Sequence, residues 1–88
     1  MKVGEIIDKI FSKYLDCMIS VAPDPYLQSW DVRIFADRLD FPKLIEINNE
    51  LKKYGLEISE IAYDQYVKYA DGIKIDTFFI VTVRMRDS

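Results

Sequence analysis

Histidine is absent from this 88-residue chain. Its absence removes Ser-His-Asp and Cys-His arrangements, His-ligated zinc and the commonest general base near neutral pH. Cysteine is nearly absent. Cys17 alone can build neither a structural zinc site nor an intrachain disulfide. The three glycines, Gly4, Gly55 and Gly72, are isolated, so no Gly-rich phosphate loop is possible. No stretch approaches the roughly 20 apolar residues that span a bilayer. The opening MKVGEIIDKIF mixes charge with apolar residues, unlike a signal peptide. A basic surplus is also missing, with 15 acidic residues against 12 basic ones. No segment is a basic arm, which disfavours non-specific nucleic-acid binding.

What is present is apolar. Half of the residues are hydrophobic, too many for a disordered chain with a net charge of only −3. The expectation is one α+β domain over residues 1–88, cytoplasmic, with no cofactor. Carboxylates, Lys, Arg, Tyr, Ser and Thr remain for catalysis, and that inventory disfavours an enzyme.

Three points punctuate the chain. Pro23-Asp24-Pro25 reads as a turn, because prolines preset φ and disfavour helix before them. Tyr54-Gly55 ends a helical pattern, with Gly55 as the left-handed residue after it. Ala70-Asp71-Gly72 reads as a hairpin loop. The residues between them give the elements. Ile6, Ile7, Ile10, Phe11 and Tyr14 form a helical stripe over Val3 to Tyr14. Leu15, Cys17, Ile19 and Val21 alternate as in a strand, although Met18 and Val21 also fit a longer helix; the strand is favoured. Trp30, Val32, Ile34 and Ala36 alternate in a second strand. Asp40 or Phe41 opens a second helix with Pro42 in its first turn. Its expected buried stripe is Leu44, Ile45, Ile47, Leu51 and Tyr54.

Two strands close the chain. Pairing Tyr69 with Ile73 sets Ser59, Ile61, Tyr63, Val67 and Tyr69 opposite Val83, Val81, Phe79, Ile75 and Ile73. A two-residue turn would instead set Lys68 across from Ile75, so the apolar pattern selects a three-residue loop. The order α-β-β-α-β-β contains a βαβ unit and a hairpin. This is a ferredoxin-like arrangement in permuted form, a two-layer sandwich of four antiparallel or mixed strands with two helices on one face. No family's motifs are present.

Two helices on one face leave the other face open. There the pattern places Phe35, Tyr66, Phe78, Ile80 and Ala62, ringed by Arg33, Lys68, Lys74, Arg84 and Arg86 and by Asp31, Asp37, Glu60, Asp64 and Asp76. The aromatics are expected to be exposed in a monomer. An apolar centre with a polar rim is the composition of an interface. Equal acid and base suits a self-complementary homodimer or another protein better than a phosphate backbone. The candidate contact residues are Phe35, Tyr66, Phe78, Ile80, Arg33 and Arg84. Single-stranded nucleic acid stacked on the aromatics is the alternative.

A second alternative concerns Asp37. The run from Phe35 to Glu57, with an Asp, a helix and then Lys-Tyr-Gly-Leu-Glu, loosely resembles the ferredoxin-like nucleases of CRISPR systems. It covers about a quarter of the chain. In that family an Asp at the end of the first strand binds metal across a dimer, so the resemblance implies metal-dependent phosphodiester hydrolysis through Asp37. Without it, Asp40 is a helix cap and Asp37 a solvated strand end. Cys17 reads as a buried, inert thiol and Asp24 as turn chemistry. The tyrosines at 54, 63, 66 and 69 read as packing residues.

Overall fold

The structure, a computed structural model, describes residues 2–69 and 72–86, with 66–69 and 74 described by backbone alone. Helix α1 spans Val3–Tyr14 and buries Ile7, Ile10 and Phe11, the i, i+3, i+4 stripe of the sequence. It stops where Leu15 turns extended (φ −105, ψ 135). Strand β1 follows at Met18–Asp24, so the ambiguous segment is strand. Pro23 and Asp24 belong to β1 rather than to a turn, a correction to the expected Pro-Asp-Pro break. The reason is position: β1 is an outer strand, where proline is tolerated. Asp24 still shapes the turn after it, accepting from the Tyr26 and Leu27 amides at 2.9 and 3.3 Å.

Strand β2 spans Ser29–Phe35, helix α2 Phe41–Lys52, strand β3 Leu56–Tyr69 and strand β4 Ile73–Met85. Asp40 caps α2, its carboxylate accepting from the Lys43 amide at 3.2 Å. Pro42 sits in the first turn, where its missing N–H is harmless. Gly55, at φ +75, provides the left-handed step from α2 into β3.

The strands form one antiparallel sheet in the order β1-β2-β4-β3. β2 and β3 thus run the same way with β4 between them, and the β2–α2–β3 connection straddles β4. Both helices pack on one face. Ile7, Phe11, Leu44, Ile47 and Leu51 cluster with Val32, Ile34, Val81 and Val83, the alternate residues of β2 and β4. Each fully buried aliphatic contributes about 1.5–3 kcal/mol.

The hairpin register matches expectation at Tyr69↔Ile73, Val67↔Ile75, Tyr63↔Phe79 and Ile61↔Val81. Ser59 departs from it. Ile58, not Ser59, faces Val83, and a bulge follows between Ile58 and Glu60. The extra residue switches phase, so Leu56 and Ile58 share a face with Ile61 and Tyr63. Several apolar expectations are also corrected. Ile45 and Tyr54 are exposed, because Leu44, Ile47 and Leu51 alone complete the inward stripe of α2. Ile61, Tyr63, Ile73 and Ile75 lie on the helix side of the sheet and are also exposed. Length explains this. A 12-residue helix is about 18 Å long. The 14-residue strand β3 reaches about 45 Å. The helices therefore cover only the near half of the hairpin, and the molecule measures 49 × 29 × 22 Å.

The two isoleucines of α2 provide a test. Ile47→Ala should cost about 2–5 kcal/mol, whereas Ile45→Ala should cost under about 0.5 kcal/mol in dilute protein. Urea unfolding of each variant reads the difference.

Candidate protein-interaction surfaces

The open face is the expected contact surface. Its aromatics do not stand free. Phe35 is half-buried and Phe78 only 9 % exposed, with ring centroids 5.6 Å apart. The expectation that Phe78 would be exposed in a monomer is therefore corrected. Phe35 ends β2 beside Phe78 of β4, and the two rings lean on each other at 35°. Arg33, Asp64 and Gln65 line the shallow depression beside them. Ile80 is half-buried and Arg33 exposed. Arg84 is held by Glu57, its Nε and terminal guanidinium nitrogen each 3.1 Å from the Glu57 carboxylate. The bulge at Ser59 made that pair, by turning Glu57 to the open side opposite Arg84. The Tyr66 side chain lies outside the described residues, as do those of Lys68 and Lys74. Tyr66 is placed by backbone register alone, opposite Asp76.

Asp37 is exposed and shares a depression of about 330 Å³ with Met18, Phe35, Ile75 and Asp76. Among the described residues, no group of three or more His, Cys, Asp or Glu side chains is placed to hold a metal. Asp40 is occupied as the α2 cap. Cys17 is half-buried, and burial pushes its thiol above the usual range.

Sequence reasoning missed Glu50. Its carboxylate accepts from Lys13 Nζ at 2.6 Å and from the Tyr14 hydroxyl at 2.7 Å, joining α2 to the end of α1. The Lys13 hydrogen bond is the chief reason that Glu50 titrates below the ordinary Glu range. The same carboxylate raises the Lys13 ammonium and the Tyr14 phenol. Glu50 lines a groove between the helices with Ile6, Lys9, Ile10 and Tyr54. Residues 36 and 37 positions apart carry no local pattern that would announce such a contact.

A further group of exposed apolar side chains lies on the helix side of the far hairpin. Ile61 is 41 % exposed, Tyr63 58 %, Ile75 56 % and Ile73 74 %. Tyr63 packs its ring edge on Phe79 at 5.3 Å and leaves the rest of its surface to solvent. Phe41 and Ile45 of α2 are exposed to a similar degree.

No family model, curated protein or solved structure matches this chain. The surfaces themselves carry what can be said of function. No helix among the described residues is long and apolar enough to cross a membrane.

Two outcomes are expected. Phe78→Ala should destabilise the fold by about 3 kcal/mol, and Phe35→Ala by less, in urea unfolding. Glu50 is lowered in the folded state, so its stabilising effect is full above the ordinary Glu value of 4.5 and is lost as pH falls through the lowered value. Glu50→Gln should therefore flatten the acid limb of a stability–pH profile, with little change in slope between pH 6 and about 8.

Proposed function

We infer that the chain is a small non-catalytic protein-interaction module that works as a homodimer. Its framework reads as the permuted ferredoxin-like arrangement, a two-layer sandwich. The strand order β1-β2-β4-β3 supports this, because β2-α2-β3 forms a split βαβ unit around β4. In that reading α1 and β1 supply the remaining helix and strand. The module belongs in the cytoplasm, where a single unpaired thiol is stable.

One observation carries the reading: apolar side chains on the far hairpin and on α2 stay in water in a single copy. Exposed apolar patches of this kind mark association surfaces. The open face adds Arg33, Phe35, Ile80 and Arg84 to the candidate contacts, with Phe78 packed beneath and Tyr66 alongside in register. Its mixed charge suits a protein partner, because each carboxylate repels a phosphate backbone.

Nucleic-acid binding is the weaker reading. A stacking platform needs open ring faces, and Phe78 is buried against Phe35. Arg84 already has a carboxylate partner. Nuclease chemistry through Asp37 is weaker still, since among the described residues only Asp76 joins it as a carboxylate in its depression.

Sedimentation equilibrium from micromolar to millimolar protein should show a monomer–dimer equilibrium. A monomer throughout would end the homodimer reading. Anisotropy of a labelled single-stranded oligonucleotide should stay flat at low salt, and steeply salt-dependent binding would favour the nucleic-acid reading instead.

A further inference from the structure

The two exposed apolar regions lie on one side of the molecule, and three observations place them there. First, the Ile58 amide of β3 donates to the Asn48 side chain of α2 at 2.9 Å. Asn48 thus marks the flank of α2 that overlooks β3. Second, Phe41, Ile45 and Asn48 follow i, i+4 and i+3 spacing, so all three share that flank. Third, α2 and β3 are joined by the short turn through Gly55 and run in opposite directions. Rising about 1.5 Å per residue, the helix places Ile45 and Phe41 over the level that β3 reaches between Ser59 and Ile61.

β3 itself is an edge. Among the described residues, no strand lies beyond it in the order β1-β2-β4-β3. At Gln65 the amide bonds the preceding Asp64 carboxylate at 2.8 Å, a local substitute for a strand partner. Long edges are usually blunted by proline, charged side chains or bulges. β3 has its bulge near the base, at Ser59, and from Glu60 to Tyr69 its ladder is regular, with no proline and with Glu60, Asp64 and Lys68 as its charges.

We propose that two copies pair through the outer edges of β3, antiparallel, about a two-fold axis normal to the sheet, with the α2 flank of each copy covering the far hairpin of the other. The proposal rests on the homodimer reading above and names its contact. Antiparallel edge pairing sets the base of one β3 beside the tip of its partner. The base is where α2 stands, and among the described residues no helix covers the tip. Phe41 and Ile45 of one copy then lie over Ile61, Tyr63 and Ile75 of the other. A two-fold axis repeats the same contact in reverse, so one chain carries both halves of the interface. The exposed area of these residues with Ile73 is on the order of 600 Å² per copy, against about 800 Å² per partner in stable complexes. Strand pairing supplies the remainder.

The test uses the full chain and charge exchange. Phe41→Arg and Tyr63→Glu alter side chains exposed in the single copy, so each variant should keep its folded circular dichroism spectrum. Each should weaken the dimer by at least about 30-fold in sedimentation equilibrium. Mixed together, the two variants should recover a heterodimer, because the guanidinium introduced on one copy then meets the carboxylate introduced on the other at one of the two contacts. Tyr26→Glu, in the exposed turn between β1 and β2, should leave the dimer intact, and Arg33→Glu reports on the open face. A dimer that survives both Phe41→Arg and Tyr63→Glu, or that dissociates only with Arg33→Glu, overturns this arrangement and leaves the homodimer reading standing. A wild-type monomer overturns both.

Discussion

Helix length sets the limits of this molecule. Both helices have 12 residues, and the hairpin they cover has strands of 14 and 13. A residue advances more than twice as far in a strand as in a helix. Nearly equal residue counts therefore leave half of the hairpin bare. The core follows from this: it holds Val81 and Val83 of β4 but not Ile73 or Ile75, which belong to the same strand face. The apolar pattern along β4 is unbroken. Only its cover ends.

Much of the fold was legible because period and punctuation agree with it. The stripes of α1 and α2, the alternation of β2 and the Tyr69↔Ile73 pairing are local patterns with local causes. The bulge at Ser59 was not legible, since Leu56 and Ile58 only reveal their phase once Val83 is beside one of them. Exposure was the least legible property. Ile45 and Ile47 differ by two positions on one helix, and both fit an apolar stripe. Phe78 and Ile75 depart from their faces in opposite senses: one expected open is covered beside Phe35, and one on the helix side is bare. Periodicity tells which side a residue faces, but not whether anything stands there.

The two sheet faces achieve cover by different means. On the helix side, aliphatic side chains meet helices and lose water almost completely. On the other side, side chains cover one another: Phe35 lies against Phe78, and Glu57 draws Arg84 across the strands. A surface that is partly self-covered gains less from a partner, because less apolar area remains to be removed from water. The hairpin and the flank of α2 therefore have more to gain from association than the open face.

The position of β4 bears on how the chain reaches this state. It is the last of the four strands in sequence, yet it lies inside the sheet and touches both β2 and β3. Before β4 arrives, β1 and β2 can form a hairpin and α1 can dock on it, but β3 has no strand to pair with. The pairing of β4 with β2 is thus the long-range step that joins the β1–β2 and β3–β4 hairpins. Such non-local joining makes for slow folding and a transiently exposed edge. The strand that holds the sheet together is also the one for which the rest must wait.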